Sequence, residues 1–166
     1  MVRHPIDRLI SAFYYCPHDH DIQNRPSKWC GDSVGEKEPI RDRLMEYARF
    51  WGNKAFRSMM GSVFCNPTFE LCDPEHAEVL STYTAVGIFE EWELSMRLFD
   101  AKVKTPVQNW DVNLAANRGN QSAAREDLRD WAHTSVKLHT MLAADMLLYD
   151  YALAVFREQT MDALLL

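Results

Sequence analysis

Residues 3–13, Arg-His-Pro-Ile-Asp-Arg-Leu-Ile-Ser-Ala-Phe, are the stretch that decides the fold of this 166-residue chain. Pro5 suits the first position of a helix, because the N–H that proline lacks is not needed there. Four apolar residues then recur at helical spacing and predict one buried face: Ile6, Leu9, Ile10 and Phe13. The sequence therefore predicts an amphipathic helix that begins at Pro5.

The polar residues of the same stretch predict an anion site. Arg3 lies just before the helix, where unpaired backbone N–H groups and the positive end of the helix dipole favour an anion. Ser11 adds a hydroxyl farther along the helix. Together these groups form a candidate phosphate cradle. The alternative interpretation, which spacing alone favours, makes Arg3 a surface charge, Asp7 a first-turn carboxylate and Ser11 a residue without a special function.

This stretch resembles the 3′-phosphate-binding segment of the Golgi carbohydrate sulfotransferases. The family pattern is Arg-x-Pro-hydrophobic-acidic-Arg-hydrophobic-x-Ser, and residues 3–11 follow it. The resemblance implies that Arg3 and Ser11 bind the 3′-phosphate of the sulfuryl donor, 3′-phosphoadenosine 5′-phosphosulfate (PAPS). It also implies a carbohydrate acceptor of the glycosaminoglycan type and a location in the Golgi lumen or at the Golgi membrane.

Two further segments resemble the same family and occur in the family's order. Tyr83–Glu91 is similar to a strand and helix start with the pattern Val-Gly-Leu/Val-Thr-Glu, although Phe89 stands in place of the Thr. Asp145–Phe156 is similar to the closing helix of heparan sulfate 6-O-sulfotransferases. On these segments the chain is identified as heparan sulfate 2-O-/6-O-sulfotransferase-like and truncated at its N-terminus.

The resemblance also implies a fold for residues 1–166 as a single domain. We expect an α/β, partial P-loop-like sulfotransferase fold that is predominantly helical here, with one or two short parallel strands. Tyr83–Ile88 is the best candidate for a buried strand, because it is short and contains β-branched residues. Apolar spacing and helix-start signals predict helices over residues 39–60, 73–81, 89–103 and 126–131, and a long closing helix.

Weaker matches to the family imply roles for four more residues. Asn53 and Arg57 match a segment thought to line the acceptor cleft. Asn113 and Arg118 match a stretch that folds over the cofactor, although the spacing here is longer by a residue or two. The resemblance therefore implies acceptor binding by the first pair and cofactor binding by the second.

Composition excludes several classes of protein. Hydrophobic residues make up 47% of the chain and charged residues 25%, which is typical of a globular domain. The net charge of −6 argues against a nucleic-acid partner, since such proteins carry a basic face. No apolar run approaches the ~20 residues that a membrane span needs.

The four cysteines leave two interpretations open. They are Cys16, Cys30, Cys65 and Cys72. An even number suits two disulfides in an oxidising compartment, with Cys65–Cys72 the favoured pair, whereas four buried thiols are the alternative.

We expect no metal site. His18 and His20 alternate with Asp19 and Asp21 in a predicted irregular loop, which gives poor ligand geometry without a third fixed partner. No Cys-x-x-Cys motif occurs, which argues against a zinc ribbon.

The family's 5′-phosphosulfate loop and usual catalytic base lie upstream of the segment that Arg3 begins. Only Met1 and Val2 precede Arg3 here. We therefore expect the C-terminal portion of a sulfotransferase domain, able to hold the 3′-phosphate but inactive as it stands. The catalytic residue is unknown, since nothing in the sequence positions the two candidate bases, His18 and His133. The alternatives are a non-catalytic carbohydrate- or partner-binding remnant and a purely structural helical domain.

Overall fold

The computed structural model describes residues 1–15, 31, 39–60, 79–103 and 123–164. These ranges contain seven helices: α1 (Pro5–Tyr15), α2 (Ile40–Trp51), α3 (Lys54–Met60), α4 (Trp92–Val103), α5 (Ala123–Thr134), α6 (Val136–Met141) and α7 (Ala143–Leu164). Residues 79–82 add a single 3₁₀ turn. The helices predicted over 89–103 and 126–131 are confirmed, with different starts, and most of the helix predicted over 73–81 lies outside the described residues.

The apolar face predicted for α1 is confirmed, and it forms the centre of one hydrophobic cluster. Ile6 and Phe13 are fully buried. This cluster joins α1 to α2, α5 and α6 through a set of buried side chains: Ile6, Leu9, Ile10, Phe13, Leu44, Tyr47, Ala48, Leu128, Ala132, Leu138 and Leu142. Burial of this face fixes α1 against helices from both halves of the chain.

A second hydrophobic cluster lies around α7. It is built mainly from α3, α4, α7 and the segment 86–88, with these buried members: Val2, Phe56, Leu80, Val86, Ile88, Leu98, Ala144, Leu148, Ala152, Val155 and Phe156. Val2 belongs to this cluster, whereas the apolar face of α1 belongs to the first. Residues 1–15 therefore contribute to both clusters.

The strands predicted for this chain are not seen in the described ranges. Val2 and Ile88 form one isolated parallel bridge instead, in which Val2 N donates to Gly87 O and Phe89 N donates to Val2 O, both at 2.8 Å. Side chains satisfy the neighbouring backbone groups: Ile88 N donates to the hydroxyl of Ser95, which donates back to Ile88 O. The parallel direction agrees with the expected sheet, but the pairing here ends after one bridge.

The single helix predicted over residues 39–60 is wrong, because the chain breaks into α2 and α3. Gly52 ends α2, and Asn53 adopts a left-handed backbone conformation with φ of 52°. Asparagine is one of the few residues that adopt this conformation readily. The break makes Asn53 available as a link to the last two helices.

The long closing helix is also interrupted, at Leu142 between α6 and α7. In a continuous helix Asp145 N would donate to Met141 O, four residues earlier. Here Asp145 N donates to Asn53 Oδ1 at 3.0 Å, and Asn53 Nδ2 donates to Met141 O at 3.0 Å. The buried amide of Asn53 therefore bridges the two helix ends.

Candidate functional site

One face of α1 carries a row of polar side chains. His4 directly precedes the helix, and Asp7, Arg8 and Ser11 lie three, four and seven residues after His4, a spacing that puts all four on the same side of the helix. The row reaches two later elements, since Asp7 contacts α5 and Arg8 contacts α7. This polar row lies opposite to the apolar face, and most ion pairs among the described residues involve it.

Asp7 is the centre of a charged cluster between α1 and α5. Arg129 donates to both of its carboxylate oxygens, with Nε 2.6 Å from Oδ1 and a terminal nitrogen 3.1 Å from Oδ2. His133 Nε2 lies 3.2 Å from the same Oδ1. Burial alone raises the pKa of Asp7, but hydrogen bonds and charge from Arg129 and His133 hold the pKa below its ordinary value of 3.8. Asp7 is therefore anionic at neutral pH.

His4 lies beside this cluster. Its ring centroid is 4.8 Å from that of His133 and 5.1 Å from that of Tyr149. Burial, followed by the neighbouring His133, lowers the pKa of His4 below its ordinary value of 6.5. Its Nδ1 is buried and has no hydrogen-bond partner among the described residues. His4 is thus a neutral imidazole at pH 7 with one unsatisfied ring nitrogen.

Glu90 supplies an anion to the start of α1. Its Oε1 accepts a hydrogen bond from His4 N at 3.0 Å, and its Oε2 accepts one from the Tyr149 hydroxyl at 3.3 Å. Burial and the neighbouring Glu90 raise the pKa of Tyr149 to about 12, so the hydroxyl stays protonated. The prediction of a helix start with unpaired N–H groups is thus wrong at His4, because Glu90 occupies that position.

Arg8 pairs with Asp145 on α7, and the carboxylate of this pair is buried. Asp145 also accepts a hydrogen bond from Phe56 N at 2.8 Å. Burial is the largest influence and raises the pKa of Asp145, while the charge of Arg8 and the Phe56 hydrogen bond act in the opposite direction. This pair attaches α1 to α3 and α7, so it holds the polar row in a fixed position.

Arg3 lies at the head of the row and contacts an aromatic ring. Its guanidinium carbon is 4.8 Å from the centroid of Phe89, the residue that replaces threonine in the family pattern. Its Nε is buried and has no hydrogen-bond partner among the described residues. A contact through the ring face orients the guanidinium without using its N–H donors. Arg3 therefore keeps donor capacity that an anion would satisfy.

A model of the sulfotransferase family matches residues 1–152. The match covers α1, the polar row and all of its partners up to Asp145 and Tyr149. The chain belongs to the sulfotransferase family. Membership implies sulfuryl transfer and a sulfuryl donor such as PAPS. Searches of curated proteins and of solved structures each found no match.

The residues predicted to bind the acceptor lie near the break between α2 and α3 of this sulfotransferase. Asn53 is fully buried and uses its amide to join α6 to α7. Arg57 is partly buried on α3, and one of its terminal nitrogens donates to Phe50 O at 3.3 Å. The structure thus gives Asn53 a structural role, and acceptor binding by either residue stays a prediction.

Four other predicted site residues lie outside the described ranges: Asn113, Arg118, Cys65 and Cys72. The structure therefore does not test the cofactor contacts or the disulfide assigned to them. Arg3 and Ser11 are both described, with Ser11 partly buried two helical turns beyond His4. Joint phosphate binding by Arg3 and Ser11 also stays a prediction.

Most polar contacts of the row in this sulfotransferase were not predicted from the sequence. Arg129 was not singled out, Asp7 was considered only as a first-turn carboxylate, and His133 had no position. One signal was present: Arg129 and His133 are four residues apart on a helix, so they share a face. Nothing local indicates that this face meets α1.

The cavity at the start of α4 does not suit a nucleotide phosphate. Its volume is about 370 Å³, and its lining includes three carboxylates, on Glu90, Glu91 and Glu93, and one guanidinium, on Arg97. Like charges repel, so this lining disfavours a phosphate.

In the described part of the chain, no helix combines the length and apolar character needed to cross a membrane.

Proposed function

We propose that this sulfotransferase binds PAPS at the head of α1, and that the reaction it belongs to transfers the sulfuryl group of PAPS to a carbohydrate hydroxyl, with a glycosaminoglycan as the acceptor class. A sulfate-transfer assay decides between an active chain and the inactive one that the sequence predicts. The observation that carries the proposal is the position of Arg3, in the segment that follows the family's 3′-phosphate pattern. Its guanidinium lies against the ring of Phe89, and its buried Nε has no hydrogen-bond partner among the described residues. By the same resemblance we place the protein in the Golgi.

The chemistry at Arg3 fits a phosphate better than a neutral ligand. A guanidinium presents several N–H donors in a rigid plane, which matches the oxygens of a phosphate. The ring of Phe89 orients this plane. Arg3 lies two residues before α1, and Ser11 offers a hydroxyl from the polar row of that helix. Arg3 supplies charge and orientation in this proposal, and Ser11 supplies one further hydrogen bond.

Neighbouring charges limit where the phosphate lies. Glu90 already accepts from His4 N, and Asp7 lies one turn later, so both carboxylates repel an anion at the helix start. The phosphate therefore approaches from the side of Arg3 and Ser11 rather than along the helix axis. Asn113 and Arg118 remain the candidates for further cofactor contacts.

PAPS supplies an activated sulfuryl group whose S–O bond to the phosphate breaks as a new S–O bond to the sugar oxygen forms. A base must take the proton of the sugar hydroxyl, and cations must offset charge on the leaving phosphate. In this proposal Arg3 and Ser11 bind and orient the end of PAPS that carries the 3′-phosphate.

Isothermal titration with adenosine 3′,5′-bisphosphate tests the binding step. Removing a charge-assisted hydrogen bond costs about 1.5–3 kcal/mol, so Arg3→Ala is expected to weaken binding roughly 10- to 150-fold. Ser11→Ala loses a neutral hydrogen bond and is expected to weaken binding roughly 2- to 10-fold.

Arg49→Ala and Ser58→Ala are the matched controls. Arg49 pairs only at the surface of α2 with Glu46, and Ser58 is exposed on α3. Arg49→Ala removes the same net charge as Arg3→Ala but should leave the dissociation constant unchanged. Equal losses in Arg3→Ala and Arg49→Ala, or no loss in either, would refute the cradle.

Sulfate transfer separates an enzyme from a binding remnant. The protein is incubated with labelled PAPS and desulfated heparan sulfate, and labelled polysaccharide is counted. Transfer that Arg3→Ala reduces supports the proposed activity. Nucleotide binding without transfer to any carbohydrate tested would favour the non-catalytic alternative.

A further inference from the structure

We propose that His4, Asp7 and His133 form a binding site for a divalent transition-metal ion, of which Zn²⁺ fits best. One nitrogen or oxygen atom from each residue lies within 4.8 Å of the other two. The residues come from the start of α1 and the end of α5, and only the packing of these helices brings them together. Two imidazoles and one carboxylate are a ligand set that Zn²⁺ uses in proteins.

The spacing between His133 and Asp7 already matches two adjacent ligands of one ion. His133 Nε2 and Asp7 Oδ1 are 3.2 Å apart. With zinc–ligand bonds of about 2.05 Å, this separation gives a ligand–zinc–ligand angle of about 103°, close to tetrahedral. An ion therefore replaces the hydrogen bond between these two atoms with little movement of either side chain.

His4 completes the set by a small adjustment. Its ligand nitrogen lies within 4.8 Å of the others, whereas adjacent ligands of a tetrahedral zinc ion are about 3.3 Å apart. An approach of roughly 1.5 Å closes this gap, which a change of side-chain torsion provides. The buried Nδ1 of His4 also has no hydrogen-bond partner among the described residues, so a metal ion bound at this nitrogen displaces no hydrogen bond.

The surrounding charges hold the carboxylate in place. Arg129 bonds both oxygens of Asp7, and an ionised carboxylate has about four lone-pair positions, so Oδ1 can bind an ion while Arg129 stays. Arg129 then acts as the outer partner that orients the ligand. Glu90, which bonds His4 N, adds a second negative charge nearby and offsets the positive charge of Arg129.

Three protein ligands leave a fourth zinc position open to water or a solute. Such a site differs from the phosphate cradle, which uses Arg3 and Ser11 and needs no metal. The metal proposal therefore does not rest on the proposed function. Nucleotide binding can fail while zinc binding persists, and the reverse also holds.

Titration of the chelator-treated full chain with Zn²⁺ tests the site, with heat released and bound zinc per chain as readouts. Loss of an outer partner alone weakens metal sites 10- to 100-fold, so loss of a ligand in His133→Ala or His4→Ala should weaken binding by at least about 10-fold. Each variant is also expected to bind one ion fewer per chain at micromolar zinc.

His139→Gln is the matched control. His139 is exposed on α6, and its Nε2 lies 3.0 Å from the carbonyl of His133, a contact that glutamine can keep. This variant removes one imidazole but should bind zinc like the unaltered chain.

Thermal unfolding with and without zinc checks the fold. Zinc should raise the melting temperature of the unaltered chain and of His139→Gln, and it should raise that of His133→Ala much less. Equal zinc binding by all four proteins, or no zinc binding by the unaltered chain, would overturn the proposal.

Discussion

Replacing Asn53 by alanine should destabilise the protein far more than an ordinary substitution in a short connection between two helices. The Asn53 side chain is fully buried, and its amide joins Met141 O to Asp145 N with two hydrogen bonds of 3.0 Å. Alanine leaves both backbone groups without this partner. Because these groups lie at the junction of α6 and α7, the loss affects the attachment of the longest described helix.

The size of the loss in the free energy of unfolding follows from the contacts of Asn53. Each buried polar group that loses its partner costs about 1–3 kcal/mol. The left-handed backbone of Asn53, with φ of 52°, adds about 1–2 kcal/mol for alanine. Direct pairing of Asp145 N with Met141 O would recover part of the loss if α6 and α7 joined. We therefore expect the free energy of unfolding to fall by about 3–5 kcal/mol.

Urea denaturation followed by far-ultraviolet circular dichroism measures this change. For a domain of this size, about 4 kcal/mol corresponds to a melting temperature lower by roughly 8–16 °C. Asn53→Gly separates the two causes, since glycine accepts the left-handed backbone but lacks the amide. It should be more stable than Asn53→Ala by about 0.5–1 kcal/mol, because the entropy of glycine in the unfolded chain offsets part of the relief.

Ser58→Ala, on the exposed side of α3, is the control and should change stability by less than about 0.5 kcal/mol. A loss below about 1 kcal/mol in Asn53→Ala would refute the bridging role. Acceptor binding would then be the one predicted function of Asn53 still to be tested.

Two further substitutions test the pairing of Val2 with Ile88 and the charged contacts of the polar row. Gly87→Ala places a methyl group 2.6 Å from Phe99 Cζ and 3.0 Å from Met1 Cγ. We therefore expect the free energy of unfolding in urea to fall by about 1–3 kcal/mol, and the second substitution Phe99→Leu to restore part of it. An unchanged free energy in Gly87→Ala alone would contradict this packing. The pKa of Asp7 is lower in the folded than in the unfolded chain, so its contribution is present above about pH 4 and disappears as the pH falls through the folded pKa. Asp7→Asn, measured with a chelator present, should therefore be less stable at pH 7, and its deficit should shrink below pH 4, whereas a deficit independent of pH would mean that the charge of Asp7 contributes nothing.

Several elements could be predicted because their signals are local. The apolar face of α1 follows from spacing within residues 6–13, and every helix with that spacing has one apolar side. The same holds for α4 and α5, whose existence, though not whose starts, followed from their patterns. The resemblance to the sulfotransferases, too, rests first on a contiguous stretch, residues 3–11.

Other features depended on partners far along the chain. The break at Asn53 could not be predicted, because nothing in residues 39–60 indicates an amide bond to Met141 and Asp145. Glu90 belongs to the segment that resembles a helix start, yet it bonds His4 N at the start of α1. Its side chain reaches that start because the bridge between Val2 and Ile88 sets the two segments side by side.

The sequence by itself determined which residues of α1 form its apolar face and which form its polar row, since a fixed turn angle converts spacing into direction. Only the tertiary structure decided what meets that row. Arg129, His133 and Asp145 reach it from two other helices, and their positions depend on the burial of apolar faces that carry no information about polar partners. A periodic pattern specifies that a face is buried but not against which element, so the cluster around Asp7 appears only once α1, α5 and α7 are packed.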